Sequence, residues 1–154
     1  MCSRLALALF AICMAADISV AADTGRWAEE IAGPVNAEVL RVVDGDTLLV
    51  AARPWPQQIV EVYVRLRDID APEIKSDCDA IHNAGEKAKD ALAELVTDRN
   101  IRLMRISGDK YFGRVLADVA LEDGRNPAQE LLSAGYVAMY AERRSTSQSC
   151  DYWR

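Results

Sequence analysis

The sequence predicts a small α+β domain, mainly β, in which five strands close into an antiparallel barrel and helices pack against it. Five runs rich in β-branched and aliphatic residues are separated by turn signals, and two further segments have helical spacing. The chain of 154 residues is long enough for one domain with a real core. It contains no internal repeat and no low-complexity tract.

The first three strands follow one another between residues 36 and 69. They read "AEVLRVV", "TLLVAA" and "IVEVYVRLRDI", and they are separated by the turn Asp44-Gly45-Asp46 and by "RPWPQQ". The third run alternates, with its valines on one face and Arg65 and Arg67 on the other. This strand therefore presents two arginines on the face opposite the apolar one.

The second half of the chain alternates between helices and strands. Residues 84–96, "AGEKAKDALAELV", have apolar residues at helical spacing and predict an amphipathic helix. The strand candidates "IRLMRI" and "RVLADVAL" follow, and a turn is expected at Asp123-Gly124. Asn126-Pro127 then opens a short helix, "PAQELLSA", with Gly135 just after its end.

Residues 1–21 have the pattern of a secretory signal peptide. Arg4 supplies the positive start, residues 5–16 the apolar stretch, and Ser19-Val20-Ala21 a small-residue cleavage pattern. The apolar stretch is too short for a stable membrane anchor. A buried N-terminal helix is disfavoured because the segment has no polar face. A lipoprotein is disfavoured because Ile12, not a small residue, precedes Cys13.

This reading implies an exported protein, periplasmic or secreted, with no membrane anchor after cleavage. Residues 22–35 are expected to form a lead-in segment and residues 36–154 the single folded domain. Cleavage would leave only Cys78 and Cys150, and an even pair in an exported chain predicts a disulfide. Two free, buried thiols are the alternative.

The formal net charge of −6 counts against a long nucleic-acid footprint built on charge neutralisation. It leaves room for a small, locally cationic cleft that holds one or two phosphates.

Carboxylates cluster where two of the strands end. The "DGDT" turn needs only one Asp, so Asp46 is available for a site. Asp70 and Glu73 follow the third strand, which must end before Pro72. Hard oxygen ligands suit calcium, whereas the single histidine, His82, offers little to a zinc site. A solvated acidic turn is the alternative interpretation of such a cluster.

Four segments in this order, "VVDGDTLLV", "VRLRDIDAPE", "GEKAKDAL" and "DKYFGRVLADV", resemble the staphylococcal (micrococcal) nuclease or thermonuclease family. The resemblance runs from about residue 36 to about residue 140. It implies a five-stranded barrel of the oligonucleotide/oligosaccharide-binding (OB) type with two to three packed helices. It also implies calcium-dependent hydrolysis of DNA and RNA phosphodiesters.

The resemblance further implies roles for individual residues. Asp46, Asp70 and the backbone carbonyl of Ala71 would bind calcium, and Glu73 would be the general base on the attacking water. Arg65 and Arg114 would bind the phosphate and stabilise the charge that grows on it. Lys110 and Tyr111 would contact the nucleotide.

One departure lies in the loop that presents Arg114. The family's usual Tyr-Gly-Arg is Tyr111-Phe112-Gly113-Arg114 here, one residue longer.

The expected function is therefore an exported, calcium-dependent nuclease with little sequence specificity, and we expect a monomer. A non-catalytic nucleic-acid-binding module of the same fold is the main alternative, although the joint presence of the carboxylates and both arginines argues against it. A protein-interaction domain of an envelope assembly is the third possibility.

Overall fold

A computed structural model of the chain describes residues 29–141 and 149–153. The signal-peptide prediction for residues 1–21 and the first half of the lead-in segment lie outside these residues. Within them, no helix is long and apolar enough to cross a membrane.

The described residues form eight strands and two helices. In chain order these are β1 (Glu30–Ile31), β2 (Val35–Asp44), β3 (Thr47–Arg53), β4 (Val60–Leu66), β5 (Ile69–Asp70), α1 (Asp79–Val96), β6 (Asn100–Gly108), β7 (Arg114–Leu121), α2 (Pro127–Ser133) and β8 (Ala138–Met139). The five longer strands match the five predicted from the sequence.

The five longer strands close into a barrel in the order β2, β3, β4, β7, β6, with β6 returning to β2. Every contact is antiparallel except that between β4 and β7, which is parallel. The prediction of a wholly antiparallel barrel is therefore wrong at this pair. The reason is geometric: a closed ring with an odd number of strands cannot reverse direction at every contact.

The predicted lead-in segment contributes to this sheet. Glu30 and Ile31, both exposed, pair with Ser107 and Ile106 on β6. A strand of two exposed residues leaves no periodic pattern, which explains why the sequence did not predict it.

The core fills the barrel and the space under α1. Val64 and Leu66 on β4 are buried as predicted, but Val60 at the start of the strand is 42% exposed. On α1, Ala88, Leu92 and Val96 are buried at four-residue spacing, which places one face of the helix against the barrel.

Both predicted helices form. The first begins five residues before its predicted start, at Asp79, because Ile81 also packs inward. The second follows its predicted signals, since Pro127 occupies the first turn and the Asn126 Oδ1 accepts a hydrogen bond from the backbone N–H of Ala128 at 2.9 Å.

The predicted disulfide between Cys78 and Cys150 is present, with 72 residues of sequence separation. Cys78 is the residue immediately before α1, so the bond ties the start of that helix to the C-terminal segment.

Removing this bond should destabilise the domain. In the loop-entropy model, closing a loop of this length stabilises the folded state by roughly 4 kcal/mol. We expect the double variant Cys78→Ala/Cys150→Ala to lose up to about this amount in denaturant unfolding, and the wild type to lose it on reduction. An unchanged unfolding midpoint in the variant would contradict a stabilising role.

Candidate active site

The "DGDT" turn between β2 and β3 fixes the first part of the site. The Asp44 Oδ1 accepts a hydrogen bond from the backbone N–H of Asp46 at 3.1 Å, so Asp44 serves the turn and leaves Asp46 for other contacts. Gly45 lies against α1: a Cβ at this position would stand 2.6 Å from the Ala88 Cβ and 2.9 Å from the Ala71 Cβ. The turn can therefore approach the helix only because residue 45 is glycine.

Asp46 is 3% exposed, and both of its carboxylate oxygens have partners. Its Oδ1 accepts hydrogen bonds from the Thr47 hydroxyl at 2.8 Å and from Arg65 Nη1 at 3.0 Å. Its Oδ2 accepts from the backbone N–H of Ala71 at 3.0 Å and lies 2.8 Å from Arg65 Nη2. This carboxylate is thus held by residues from three separate parts of the chain.

The second carboxylate meets the same guanidinium group. Asp70 is 4% exposed, and its Oδ1 lies 2.8 Å from Arg65 Nη2, the nitrogen that also contacts Asp46. Two buried carboxylates therefore converge on one positive group. The burial of both charges is offset by this shared cation.

The arrangement fits a hard divalent cation. Asp46, Asp70 and Glu73 line, with Ala71 and Arg65, a small cavity of about 60 Å³, and their carboxylate oxygens are the kind of ligand that calcium prefers. Among the described residues no group of three or more His, Cys, Asp or Glu side chains is positioned as a metal cluster. A bound cation would therefore depend on the two buried carboxylates together with backbone oxygens and water.

Burial raises the pKa of the Asp44 carboxyl to about 6, and the neighbouring charge of Asp46 adds to this effect. The Asp44 carboxyl therefore becomes protonated at a higher pH than an ordinary aspartate does.

Glu73 lies at the junction of two cavities. It lines the small cavity beside the buried carboxylates and also a larger cleft of about 490 Å³. Its Oε1 accepts a hydrogen bond from the backbone N–H of Lys75 at 3.1 Å. The side chain is exposed, so solvent water reaches it.

Arg114, at the start of β7, enters the same cleft. Its Nε donates to the Asp109 Oδ2, and its Cζ lies 4.6 Å from the ring centre of Tyr111. Lys110 Nζ lies 5.0 Å from the same ring centre. Burial alone would raise the pKa of Asp109, but the hydrogen bonds from Arg114 and Lys110 and the charge of Arg114 outweigh it and lower that pKa.

The cleft brings together all five of the predicted catalytic and substrate-contacting side chains. They are Arg65, Glu73, Lys110, Tyr111 and Arg114. A larger cavity of about 880 Å³ lies near the disulfide and contains none of them, so the chemistry favours the smaller cleft. For Ala71 the structure shows its N–H bonded to Asp46, while its predicted carbonyl contact stays a prediction.

Arg67 was predicted on the same strand face as Arg65, and it also lines the cleft, but its hydrogen bonds go to the barrel strands. Its Nη2 donates to the carbonyl oxygen of Arg105, to Ser107 Oγ at 2.9 Å and to the carbonyl oxygen of Leu116 at 3.4 Å. Arg67 thereby joins the end of β4 to β6 and β7.

Sequence reasoning did not assign three residues that shape the site: Thr47, Asp109 and Tyr140. Thr47 directly follows Asp46 in the quoted turn, and Asp109 precedes Arg114 by five residues in the loop, so both lay within motifs that had been singled out. Tyr140, the residue directly after β8, lines the cleft, and no local pattern indicates that.

A closed five-stranded barrel with such a cleft at one side defines an OB-type domain with a compact carboxylate and arginine site. Residues 63–152 match the family model described as staphylococcal nuclease homologue. This match covers more than half of the chain, and the chain belongs to the staphylococcal nuclease family.

Curated relatives are similar over part of their length. A protein of Escherichia coli named "Uncharacterized endonuclease" is 32% identical over 108 residues, which are 70% of this chain and 63% of the relative. One of Haemophilus influenzae with the same name is 35% identical over 107 residues, 70% of this chain and 53% of the relative. "Protein ParB" of Escherichia coli is 39% identical over 93 residues, 60% of this chain and 43% of the relative. The chain thus spans less than two thirds of the length of these relatives.

Adding one methyl group at the turn should disturb both stability and the site. Gly45→Ala would force its Cβ into Ala88 and Ala71, and overpacking of this kind costs about 1–3 kcal/mol. Gly108→Ala is the matched control, because a Cβ there meets nothing within 4 Å. Denaturant unfolding of both variants tests this, and equal stabilities would contradict the close contact between turn and helix.

Removing the positive charge of Arg65 should destabilise the domain when no divalent metal is present. Arg65→Met leaves Asp46 and Asp70 buried without their common positive partner, and we expect a loss of about 3 kcal/mol in the free energy of unfolding. Arg41→Met, at an exposed arginine, is the control and should change little. An equal effect of the two substitutions would show that the Arg65 pairing does not stabilise the fold.

Proposed function

We propose that the protein is an exported, calcium-dependent nuclease that hydrolyses phosphodiester bonds of DNA and RNA with little sequence specificity. The observation that carries the proposal is the common cleft of Arg65, Arg114 and Glu73, which adjoins the buried carboxylates Asp46 and Asp70. Family membership and the names of the relatives support nuclease activity.

The two arginines are suited to a phosphodiester. The planar guanidinium fork binds two phosphate oxygens at once, which a lysine would not reproduce. Arg65 and Arg114 enter the cleft from β4 and β7, which are neighbours in the barrel. They can therefore hold one phosphate between them and stabilise the negative charge that grows on it in the transition state.

Glu73 is the residue suited to act as general base. The N–H of Lys75 holds one of its oxygens, which orients the carboxylate at the edge of the cleft. In the reaction a carboxylate oxygen of Glu73 accepts a proton from the attacking water, whose oxygen forms a bond to phosphorus while the arginines hold the phosphate. The bond from phosphorus to the leaving ester oxygen breaks, and that oxygen takes a proton from solvent.

Asp46, Asp70 and the carbonyl of Ala71 would hold the calcium ion. The ion, when bound, would neutralise phosphate charge and polarise a phosphate oxygen. Arg65 contacts carboxylate oxygens of both aspartates, so a cation bound there would compete with Arg65 for them and would leave its guanidinium group available for the substrate phosphate.

Export is supported by the sequence pattern of residues 1–21 and by the disulfide, which is typical of oxidising compartments. We expect the mature protein to act as a monomer on DNA and RNA.

The decisive test is hydrolysis by the mature chain. Single-stranded DNA, duplex DNA and RNA should all be degraded in calcium, and none in a chelator. Arg114→Ala should lower kcat about 10²- to 10³-fold and Glu73→Gln about 10²- to 10⁴-fold, with little change in thermal stability. Arg41→Ala is the control and should retain wild-type rates.

A folded wild-type chain that shifts DNA in a gel without shortening it would identify the non-catalytic binding module instead. A chain that neither binds nor cleaves nucleic acid would favour an interaction domain.

Calcium should also stabilise the folded protein without substrate. A ligand present at 100 times its Kd adds about 2.7 kcal/mol to the free energy of unfolding, so Tm should rise with calcium concentration. Asp46→Asn should remove most of this rise. Arg65→Met should enlarge it, because the competing guanidinium is gone. The absence of any calcium effect on wild-type Tm would contradict the proposed metal site.

A further inference from the structure

Exposed aromatic side chains surround the loop that presents Arg114. Phe112 is 109% exposed, so nothing in the described residues covers it, and Tyr111 beside it is 56% exposed. Tyr63, on β4, is 39% exposed. A fully exposed phenylalanine gains nothing from the fold, since the hydrophobic effect stabilises only apolar surface that is removed from water.

Tyr63 and Phe112 are close in the structure although they are far apart in sequence. The backbone N–H of Tyr63 donates to the carbonyl oxygen of Gly113 at 3.3 Å, and Tyr63 is the Cα partner of Arg114 in the β4–β7 pairing. Gly113 directly follows Phe112. Tyr63 and Phe112 therefore adjoin the same short piece of backbone, next to residues that line the cleft.

Tyr63 also lies on the same strand face as Arg65. Residues two apart on a strand point to the same side and are separated by roughly 6.6 Å. Consider a nucleic-acid strand whose phosphate is held by Arg65 and Arg114. If this strand continues along β4, away from the buried carboxylates, its next nucleotide would lie over Tyr63 and Phe112.

We propose that Tyr63 and Phe112 form an aromatic subsite outside the cleft, which stacks on the base of a nucleotide adjoining the bound phosphate. The subsite rests on the proposed function, and it extends the substrate contact beyond the Lys110 and Tyr111 positions. Unpaired bases stack on aromatic rings whatever their identity, so the contact gives affinity without sequence preference.

The charge of the protein makes such a contact valuable. The formal net charge of −6 counts against holding a long polyanion by charge alone. Stacking on a neutral ring adds affinity without an additional positive charge. Its contribution changes little with salt concentration, whereas the contribution of a phosphate contact falls as salt rises.

The test measures binding rather than cleavage. A labelled oligothymidylate and an oligonucleotide of the same length without bases are titrated with the full-length mature protein, and Kd is read from fluorescence anisotropy. Titrations are made in a chelator and, in the Glu73→Gln background, with calcium. Neither condition requires turnover, so the result stands whether or not the protein proves to be a nuclease.

We expect Phe112→Ala to raise Kd for the base-containing oligonucleotide by about 5- to 150-fold, and Tyr63→Ala to act in the same direction. Affinity for the base-free oligonucleotide should stay unchanged. Phe112→Tyr should retain affinity, whereas Phe112→Leu, which is apolar but not aromatic, should lose it. Trp55→Ala removes another exposed aromatic ring, in the loop beyond the far end of β3, and should have no effect.

Salt separates stacking from charge. Phe112→Ala should shift Kd equally at every salt concentration, whereas Lys110→Ala should reduce the slope of log Kd against log salt by about 1. Three results would overturn the subsite: equal Kd for Phe112→Ala and wild type, an equal loss of affinity for the base-free oligonucleotide, or no measurable binding of the base-containing oligonucleotide by the folded protein in either condition.

Discussion

The guanidinium group of Arg65 is the interaction on which the site depends, because it holds two buried carboxylates together. Asp46 and Asp70 lie on different strand ends, and each is at most 4% exposed. Two carboxylates this close and this buried would repel each other without a positive group between them. The guanidinium at 2.8 Å from both removes that obstacle. The "DGDT" turn, β4 and β5 can therefore meet at one point.

The barrel makes this meeting possible. Thr47 and Arg65 are Cα partners in the β3–β4 ladder, and the N–H of Leu66 donates to the carbonyl oxygen of Asp46 at 2.8 Å. The register of two strands thus sets where the arginine stands relative to the turn. A register shift of one residue would turn Arg65 toward the core, so the same hydrophobic alternation that builds the barrel also aims the arginine.

Much of this fold could be predicted because its long elements carry clear periods. The five barrel strands, both helices and the Cys78–Cys150 pair were all visible as patterns in the sequence. The elements that escaped prediction are β1, β5 and β8, of two residues each, which are too short to show a period. The parallel pairing of β4 with β7 was not predicted, because the direction of a strand relative to its neighbour depends on the whole barrel and not on any local segment of sequence.

The site was predictable to a similar depth. Individual residues could be proposed because carboxylates exceeded what the turn needed, and the family resemblance supplied their roles. The hydrogen bonds that hold those residues could not be predicted, because most of them join distant parts of the chain. The Thr47 hydroxyl donates to Asp46, and the Asp109 carboxylate accepts from Arg114. Hydroxyl and acidic residues are common in turns, so their presence in the sequence does not indicate such a contact.

An acidic chain can act on a polyanion only if its positive charge is concentrated at the phosphate. Within the cleft Arg65 and Arg114 already pair with carboxylates of the protein. In the proposed reaction each guanidinium would therefore meet a substrate phosphate by exchanging one anion for another. Such exchange gives accurate geometry, because the arginines are held before the substrate arrives. It gives little affinity, because each new contact replaces an old one. Uncharged contacts at the edge of the cleft, from rings such as Phe112 and Tyr63, are then the means by which this surface can retain a strand.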